Sequence, residues 1–98
     1  MIIIYGEITI DPAAREELMA AAITMQEETQ KEEGCIRYVF AADLKRDDLI
    51  HVSEHWATGE ALMAHMSSPH MAAFGKALGG KVKGTVLKKY DASGDGNF

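Results

Sequence analysis

Hydrophobic and polar positions change their period several times along this chain, and each change predicts a new element. Residues 2–10 are rich in β-branched side chains, which predicts a first strand. An Asp-Pro pair at residues 11–12 then begins a stretch whose apolar side chains recur at helical spacing up to about residue 31. This stretch predicts a first helix, and Gly34 ends it. Residues 35–43 and 48–56 alternate again on either side of a polar turn. They predict a hairpin in which Ile36, Tyr38 and Phe40 share one face.

The second half of the chain completes the pattern. Thr58 is a typical N-cap for a short helix, and Ser68-Pro69 is the same signal for a second helical piece over residues 69–78. Residues 81–90 predict a fourth strand. The order β-α-β-β-α-β predicts an α+β, ferredoxin-like fold, with a four-stranded antiparallel sheet covered by helices on one face. We expect one domain over residues 1–91 and a flexible C-terminal tail over residues 92–98.

The second face of this sheet carries more apolar side chains than a monomer would leave in water. The helix side is predicted to hold Ile4, Ile8 and Ile10 of the first strand and Ile50, Val52, Glu54 and Trp56 of the third. The opposite face is left with Ile3, Tyr5, Leu49 and Leu87. We therefore expect a homodimer in which a second copy covers this face. The alternative is a monomer with scattered surface hydrophobics.

Composition narrows the classes of function. Ten Lys and Arg against fifteen Asp and Glu give a net charge of −5 over 98 residues, which argues against a partner that is nucleic acid or an anionic membrane. A single cysteine excludes an internal disulfide and a multi-cysteine metal site. The chain has neither a signal-peptide pattern nor an apolar run long enough to cross a bilayer, so we expect a cytoplasmic protein.

Candidate chemistry centres on Glu54, Trp56 and His65. Glu54 and Trp56 point at the helices, where a carboxylate is either paired or has a raised pKa; the alternative is that both are ordinary core residues. His65, at the end of the first helical piece, can reach back towards the space between helices and sheet and serve there as a proton acceptor. A capping or solvent-facing histidine is the alternative reading.

The histidine spacing does not favour a metal site. His51 and His55 share a strand face but lie roughly 13 Å apart, since a strand rises about 3.3 Å per residue. His65 and His70 are separated by a Ser-Ser-Pro break and lack the i, i+4 spacing of two helical ligands. A glycine-rich phosphate loop is also missing after the first strand. We therefore predict neither a metal nor another cofactor.

Several motifs together resemble one known family. They are Gly34-Cys35-x-x-Tyr38, Glu54-x-Trp56, an Ala-Leu-Met-Ala-His run at residues 61–65, and Ser-Pro-His at residues 68–70. Over about residues 2–90 the chain resembles the antibiotic biosynthesis monooxygenase (ABM) domain family. The resemblance implies a dimeric α/β barrel in which two sheets face each other.

The same resemblance implies a cofactor-independent monooxygenase that oxidises a small aromatic substrate, a quinol or a polyketide-like compound, with O2. His65 would be the catalytic base, and the substrate-binding residues would be Trp56, Glu54, Tyr38, His70 and Phe74. One alternative is a non-catalytic dimeric module that binds or senses a small molecule. A haem-degrading relative is disfavoured, because that branch of the family uses an asparagine on the first strand and residues 1–11 contain none.

Overall fold

The computed structural model describes residues 1–97 and has the predicted order of elements. They are β1 (Ile2–Ile10), a 3-10 turn (Pro12–Ala14), α1 (Arg15–Gln30), β2 (Cys35–Ala42), β3 (Leu49–Trp56), α2 (Gly59–Met66), α3 (Pro69–Leu78) and β4 (Val82–Asp91). The strands form one sheet in the order β2-β3-β1-β4, and every neighbouring pair is antiparallel. The ferredoxin-like α+β fold is thereby confirmed, and its second helix is divided into α2 and α3.

Three polar side chains begin the helical segments as the sequence indicates. Side-chain oxygens of Asp11, Thr58 and Ser68 each accept a hydrogen bond from a backbone N–H two or three residues later, at 3.0, 3.1 and 3.2 Å. Such bonds satisfy backbone donors that have no partner within the helix. Asp11 caps the 3-10 turn rather than a helix, so α1 begins only at Arg15.

The core lies between the helices and one face of the sheet. The apolar positions at helical spacing face the core: Ala14 of the 3-10 turn and Leu18, Ala22 and Met25 of α1 are buried, and Ala21 is half-buried against them. They join two packed clusters. One contains Ile2, Ala22, Met25, Tyr38, Trp56 and Phe74, and the other contains Ile8, Ile10, Ala14, Leu18, Ile50 and Val52. α1 packs against β2 and α3, and α2 packs against β3.

The alternation predicted for β2 is wrong at its first residues. The register against β3 shifts between Cys35 and Arg37, so Ile36 is the extra residue and is 54% exposed. Tyr38 and Phe40 do share one face, the one towards the helices, but Cys35 takes the place by the core that Ile36 would have had. A bulge of one residue reverses the side-chain alternation that precedes it.

The face predicted for Leu87 is also wrong. Leu87 is paired with Gly6 of β1, and therefore points to the helix side of the sheet. A side chain at Gly6 would lie only 1.8 Å from the carbonyl oxygen of Val86, so glycine is what allows β4 to approach here. Leu49 is buried within the single chain and adds little to the open face.

Residues 92–97 form neither helix nor strand, although Ala92 exchanges two backbone hydrogen bonds with Met1, at 2.8 and 3.2 Å. Phe98, the last residue of the predicted tail, lies outside the described residues. The flexibility of the tail stays a prediction. Within residues 1–97, none of the helices combines the length and the apolar character that crossing a bilayer requires.

Candidate active site

A cavity of about 450 Å³ lies between α2, α3 and the sheet. This volume is within the range of small-molecule sites. Its wall is mostly apolar and includes Ile4, Ile8, Val52, Met66, Met71 and Phe74. Its lining comes from α2, α3 and all four strands of the sheet.

Three polar side chains from three different elements reach the cavity wall. Tyr38 comes from β2, Glu54 from β3 and His65 from the last turn of α2. They are 4%, 7% and 2% exposed, respectively, so each is nearly removed from bulk water. The ammonium-bearing residue Lys89 of β4 lies at the exposed side of the same cavity. An apolar cavity with a few convergent polar groups is the usual form of a ligand site.

His65 is held by a carboxylate that comes from the turn after α1. The Nδ1 atom of His65 lies 2.7 Å from Oε2 of Glu32, and Nε2 of His70 lies 3.0 Å from the same oxygen. As a carboxylate, Glu32 accepts a hydrogen bond from each ring. Among residues 1–97, the hydrogen bonds of the His65 ring involve Nδ1 alone. Its Nε2 is therefore the nitrogen left for a ligand in the cavity.

A glycine allows the turn that carries Glu32 to pack against α2. Gly34 has φ of +82°, a conformation that side chains disfavour. A Cβ added to Gly34 would also lie 2.5 Å from the Cβ of Ala61 in α2. Both facts require glycine, and the close approach of the turn to α2 brings Glu32 beside His65.

Trp56 supports the site from behind rather than lining the cavity. It is fully buried, and its indole N–H donates to Oε1 of Glu54 at 2.9 Å. The centroids of the Trp56 and His65 rings are 4.9 Å apart, and those of Tyr38 and His65 are 5.2 Å apart. The imidazole is thus packed against two aromatic rings, which restricts its rotation. The indole N–H is directed at Glu54 within the core, and Trp56 is not among the residues that line the cavity.

Burial changes the acid–base properties of the two other polar groups. It raises the pKa of Glu54, although the hydrogen bond from Trp56 and the nearby His65 act in the opposite direction. Burial also raises the pKa of Tyr38, and the negative charges of Glu54 and Glu32 raise it further. Tyr38 therefore keeps its proton at neutral pH and is available as a hydrogen-bond donor.

Of the residues proposed from the sequence, His65, Glu54, Tyr38 and Phe74 line this cavity. Trp56 and His70 do not line it; Nε2 of His70 lies 3.0 Å from Oε2 of Glu32. Their substrate-binding roles stay predictions. Sequence reasoning missed Glu32, whose only signal was a pair of acidic residues just before Gly34.

Fold and site together define a class: small ferredoxin-like α+β domains with an apolar cavity under the second helix and a buried imidazole in its wall. A family model described as antibiotic biosynthesis monooxygenase matches residues 1–77, and the chain belongs to that family. An uncharacterised protein of Synechocystis sp. is 33% identical over 73 residues, which are 74% of this chain and 50% of that protein. The chain thus spans about half the length of this curated relative.

Solved structures show the same fold. A protein of Deinococcus radiodurans, provisionally named an antibiotic biosynthesis monooxygenase, superimposes with a TM-score of 0.90 at 23% identity, covering 100% of this chain and 98% of the other. A conserved protein of Methanosarcina mazei has a TM-score of 0.83 at 28% identity, and the match covers 91% of this chain and 89% of the other. A Bacteroides thetaiotaomicron protein, described as a possible oxidoreductase, has a TM-score of 0.83 at 27% identity, with 91% and 94% covered.

Proposed function

We propose that this protein is a cofactor-independent monooxygenase that oxidises a small aromatic substrate, a quinol or a polyketide-like compound, with O2. One observation carries the proposal: the His65 ring lies in the wall of an apolar cavity, with Nδ1 bound to Glu32 and Nε2 free to accept a proton. Membership of the ABM family supports the same class of reaction.

The reaction begins with proton transfer from a substrate hydroxyl to Nε2 of His65. The resulting anion is electron-rich enough to reduce O2, and a carbon of the ring then forms a bond to oxygen as a hydroperoxide. Loss of water from the hydroperoxide leaves a carbonyl group. One oxygen atom enters the product and the other leaves as water, and the substrate supplies all four electrons and both hydrogen atoms of that water.

The remaining polar groups support this chemistry. Tyr38 donates a hydrogen bond to the oxyanion that develops on the substrate, because its hydroxyl stays protonated. Glu54, which also lines the cavity, orients a substrate hydroxyl. The apolar lining excludes water, which strengthens both interactions and protects the hydroperoxide. Glu32 is a positioning residue, since it acts on the substrate only through His65.

We also propose that the protein works as a homodimer whose two sheets face each other. The open face exposes Tyr5, Val86 and Tyr90, and the rings of Tyr5 and Tyr90 stack with centroids 5.7 Å apart. A flat apolar surface of this kind is suited to a second copy of itself. Light scattering after gel filtration tests the proposal, and a monomer at micromolar concentration contradicts it. Tyr5→Glu should shift the equilibrium towards monomer.

Oxygen uptake with a panel of quinols and polyketide-like aromatics tests the proposed activity, using protein freed of metal and flavin. His65→Ala should lower the rate about 10²-fold, the scale of losing a general base. His51→Ala is the matched control, because His51 is exposed and bonded to Asp43 away from the cavity. An unchanged rate in His65→Ala removes His65 from the mechanism. Saturable binding of aromatics without oxygen uptake supports the non-catalytic binding module instead, and a Soret shift on adding haem would support the haem-degrading class.

A further inference from the structure

The three side chains that meet behind the cavity have the composition of a metal-ligand set. Nδ1 of His65, Nε2 of His70 and a carboxylate oxygen of Glu32 all lie within 4.8 Å of one another. Two imidazoles and a carboxylate are a known three-residue donor set for Zn²⁺. The spacing argument from the sequence considered only histidine pairs. The Ser-Ser-Pro break between α2 and α3 in fact brings the two rings to 5.9 Å, and Glu32 joins them from another part of the chain.

We propose that Glu32, His65 and His70 form a binding site for a divalent transition-metal ion, with Zn²⁺ as the best-suited ion. In a tetrahedral zinc site with ligand bonds of 2.0–2.1 Å, neighbouring ligand atoms are about 3.3 Å apart. The two nitrogen–oxygen distances here are 2.7 and 3.0 Å. The carboxylate and each ring therefore need to separate by only roughly 0.3–0.6 Å, with the protons between them released as the ion enters.

The surroundings also suit an ion. The His65 side chain is 2% exposed and packed against Trp56, so one ligand is held rigidly. Glu32 and His70 are 17% and 19% exposed, which gives an ion a path from solvent and leaves room for a water molecule as fourth ligand. Nitrogen ligands favour Zn²⁺, Cu²⁺, Ni²⁺ or Co²⁺ over Mg²⁺ and Ca²⁺.

Metal binding at this position would have a defined effect on the reaction, an effect that rests on the proposed function. A metal on Nδ1 of His65 leaves the ring proton on Nε2, the atom that serves as the base in the proposed reaction. The imidazole can then donate but no longer accept a proton, so Zn²⁺ should inhibit oxygen uptake. The site would act as an inhibitory metal site.

The test is a calorimetric titration of EDTA-treated protein with Zn²⁺, accompanied by visible absorption of the Co²⁺ form. We expect one ion per chain and a Co²⁺ spectrum of low coordination number. Loss of groups that only support metal ligands costs 10–100-fold in affinity, so His70→Ala and Glu32→Gln should each weaken binding at least about tenfold. His51→Ala is the control, since His51 is bonded to Asp43 on the surface and should leave the affinity unchanged.

A second readout needs no variant. Nitrogen NMR of the histidine rings in the wild-type protein should show Zn²⁺ acting on Nδ1 of His65 and Nε2 of His70. The proposal is overturned if the wild-type protein has no saturable Zn²⁺ binding, if His51→Ala abolishes it, or if the ring signals of His65 and His70 do not move. If Zn²⁺ binds at these rings without inhibiting oxygen uptake, the metal site is confirmed and His65 is not the catalytic base.

Discussion

Replacing Trp56 with phenylalanine removes the indole N–H that reaches the buried carboxylate of Glu54. The donor and acceptor are 2.9 Å apart, and both side chains are almost completely buried. Leaving a buried acceptor without its partner costs about 1–3 kcal/mol, and more if the group is charged. The smaller ring adds a cavity term of about 1–2 kcal/mol, well below the cost of removing a whole aromatic side chain. We therefore expect Trp56→Phe to lower the free energy of unfolding by about 3 kcal/mol at neutral pH.

The loss should depend on pH in a known direction. Burial raises the pKa of Glu54 above its ordinary value of 4.5, so the folded protein holds this proton more tightly than the unfolded chain. This difference contributes to the free energy of unfolding. The contribution is fully present below the pKa that Glu54 has in the unfolded chain, and it is lost as the pH rises through the pKa that Glu54 has in the folded protein. Because the Trp56 N–H favours the ionised form, removing it raises the Glu54 pKa further and makes this decline larger.

Urea unfolding followed by circular dichroism at about pH 4 and about pH 7 measures the effect. Glu54→Gln is the matched control, because it keeps an oxygen acceptor for Trp56 but cannot be charged. It should be more stable than the wild type at about pH 7 and lose that advantage at about pH 4. When Trp56→Phe is combined with Glu54→Gln, it should lower the free energy of unfolding by less than it does in the otherwise wild-type protein. A loss of stability below about 1 kcal/mol, or one equal at both pH values, would show that the Trp56–Glu54 hydrogen bond does not stabilise the fold in this way.

Four further substitutions, at three positions, test separate parts of the structure. Gly6→Ala should destabilise the fold by more than about 2 kcal/mol in urea unfolding, because its Cβ would lie 1.8 Å from the carbonyl oxygen of Val86. A Cβ at Gly75 in α3 meets nothing within 4 Å, so Gly75→Ala should stabilise the protein by about 0.5–1 kcal/mol. Gly75→Phe should fill the cavity and abolish binding of aromatics measured by calorimetry; unaltered binding would place the ligand elsewhere. His51→Ala should raise the Asp43 pKa from about 2 towards 3.8 in an NMR titration, since the His51 hydrogen bond is the main cause of its low value. Because the Asp43 pKa is lowered in the folded protein, this carboxylate contributes stability at pH values above its pKa in the unfolded chain, and the contribution is lost as the pH falls towards about 2. The contribution should be smaller in His51→Ala.

The elements could be predicted because their local signals agree. Asp11, Thr58 and Ser68 begin the helical segments by hydrogen bonds to their own neighbours, and those bonds depend on adjacent residues alone. Side-chain faces were less predictable. Ile36 was assigned to the wrong face because a bulge shifts the register of β2, and Leu87 because polarity along β4 does not alternate clearly.

The candidate site was predictable only in part, for a related reason. His65 could be proposed from its place at the end of a helix and from the family resemblance. Its partner Glu32 lies 33 residues earlier, in a turn whose path depends on Gly34 and on the close packing against α2. No local sequence pattern predicts such a contact, because it depends on how elements from both halves of the chain pack together.

Nitrogen NMR of the His65 ring shows which of its nitrogens can take a proton from a substrate. We expect neutral His65 to carry its proton on Nδ1, bonded to Glu32, and the signal of the unprotonated Nε2 to shift when an aromatic compound enters the cavity. In Glu32→Gln the preference for this tautomer should weaken. A proton found on Nε2, or an Nε2 signal that no aromatic ligand moves, would exclude His65 as the base of the proposed reaction.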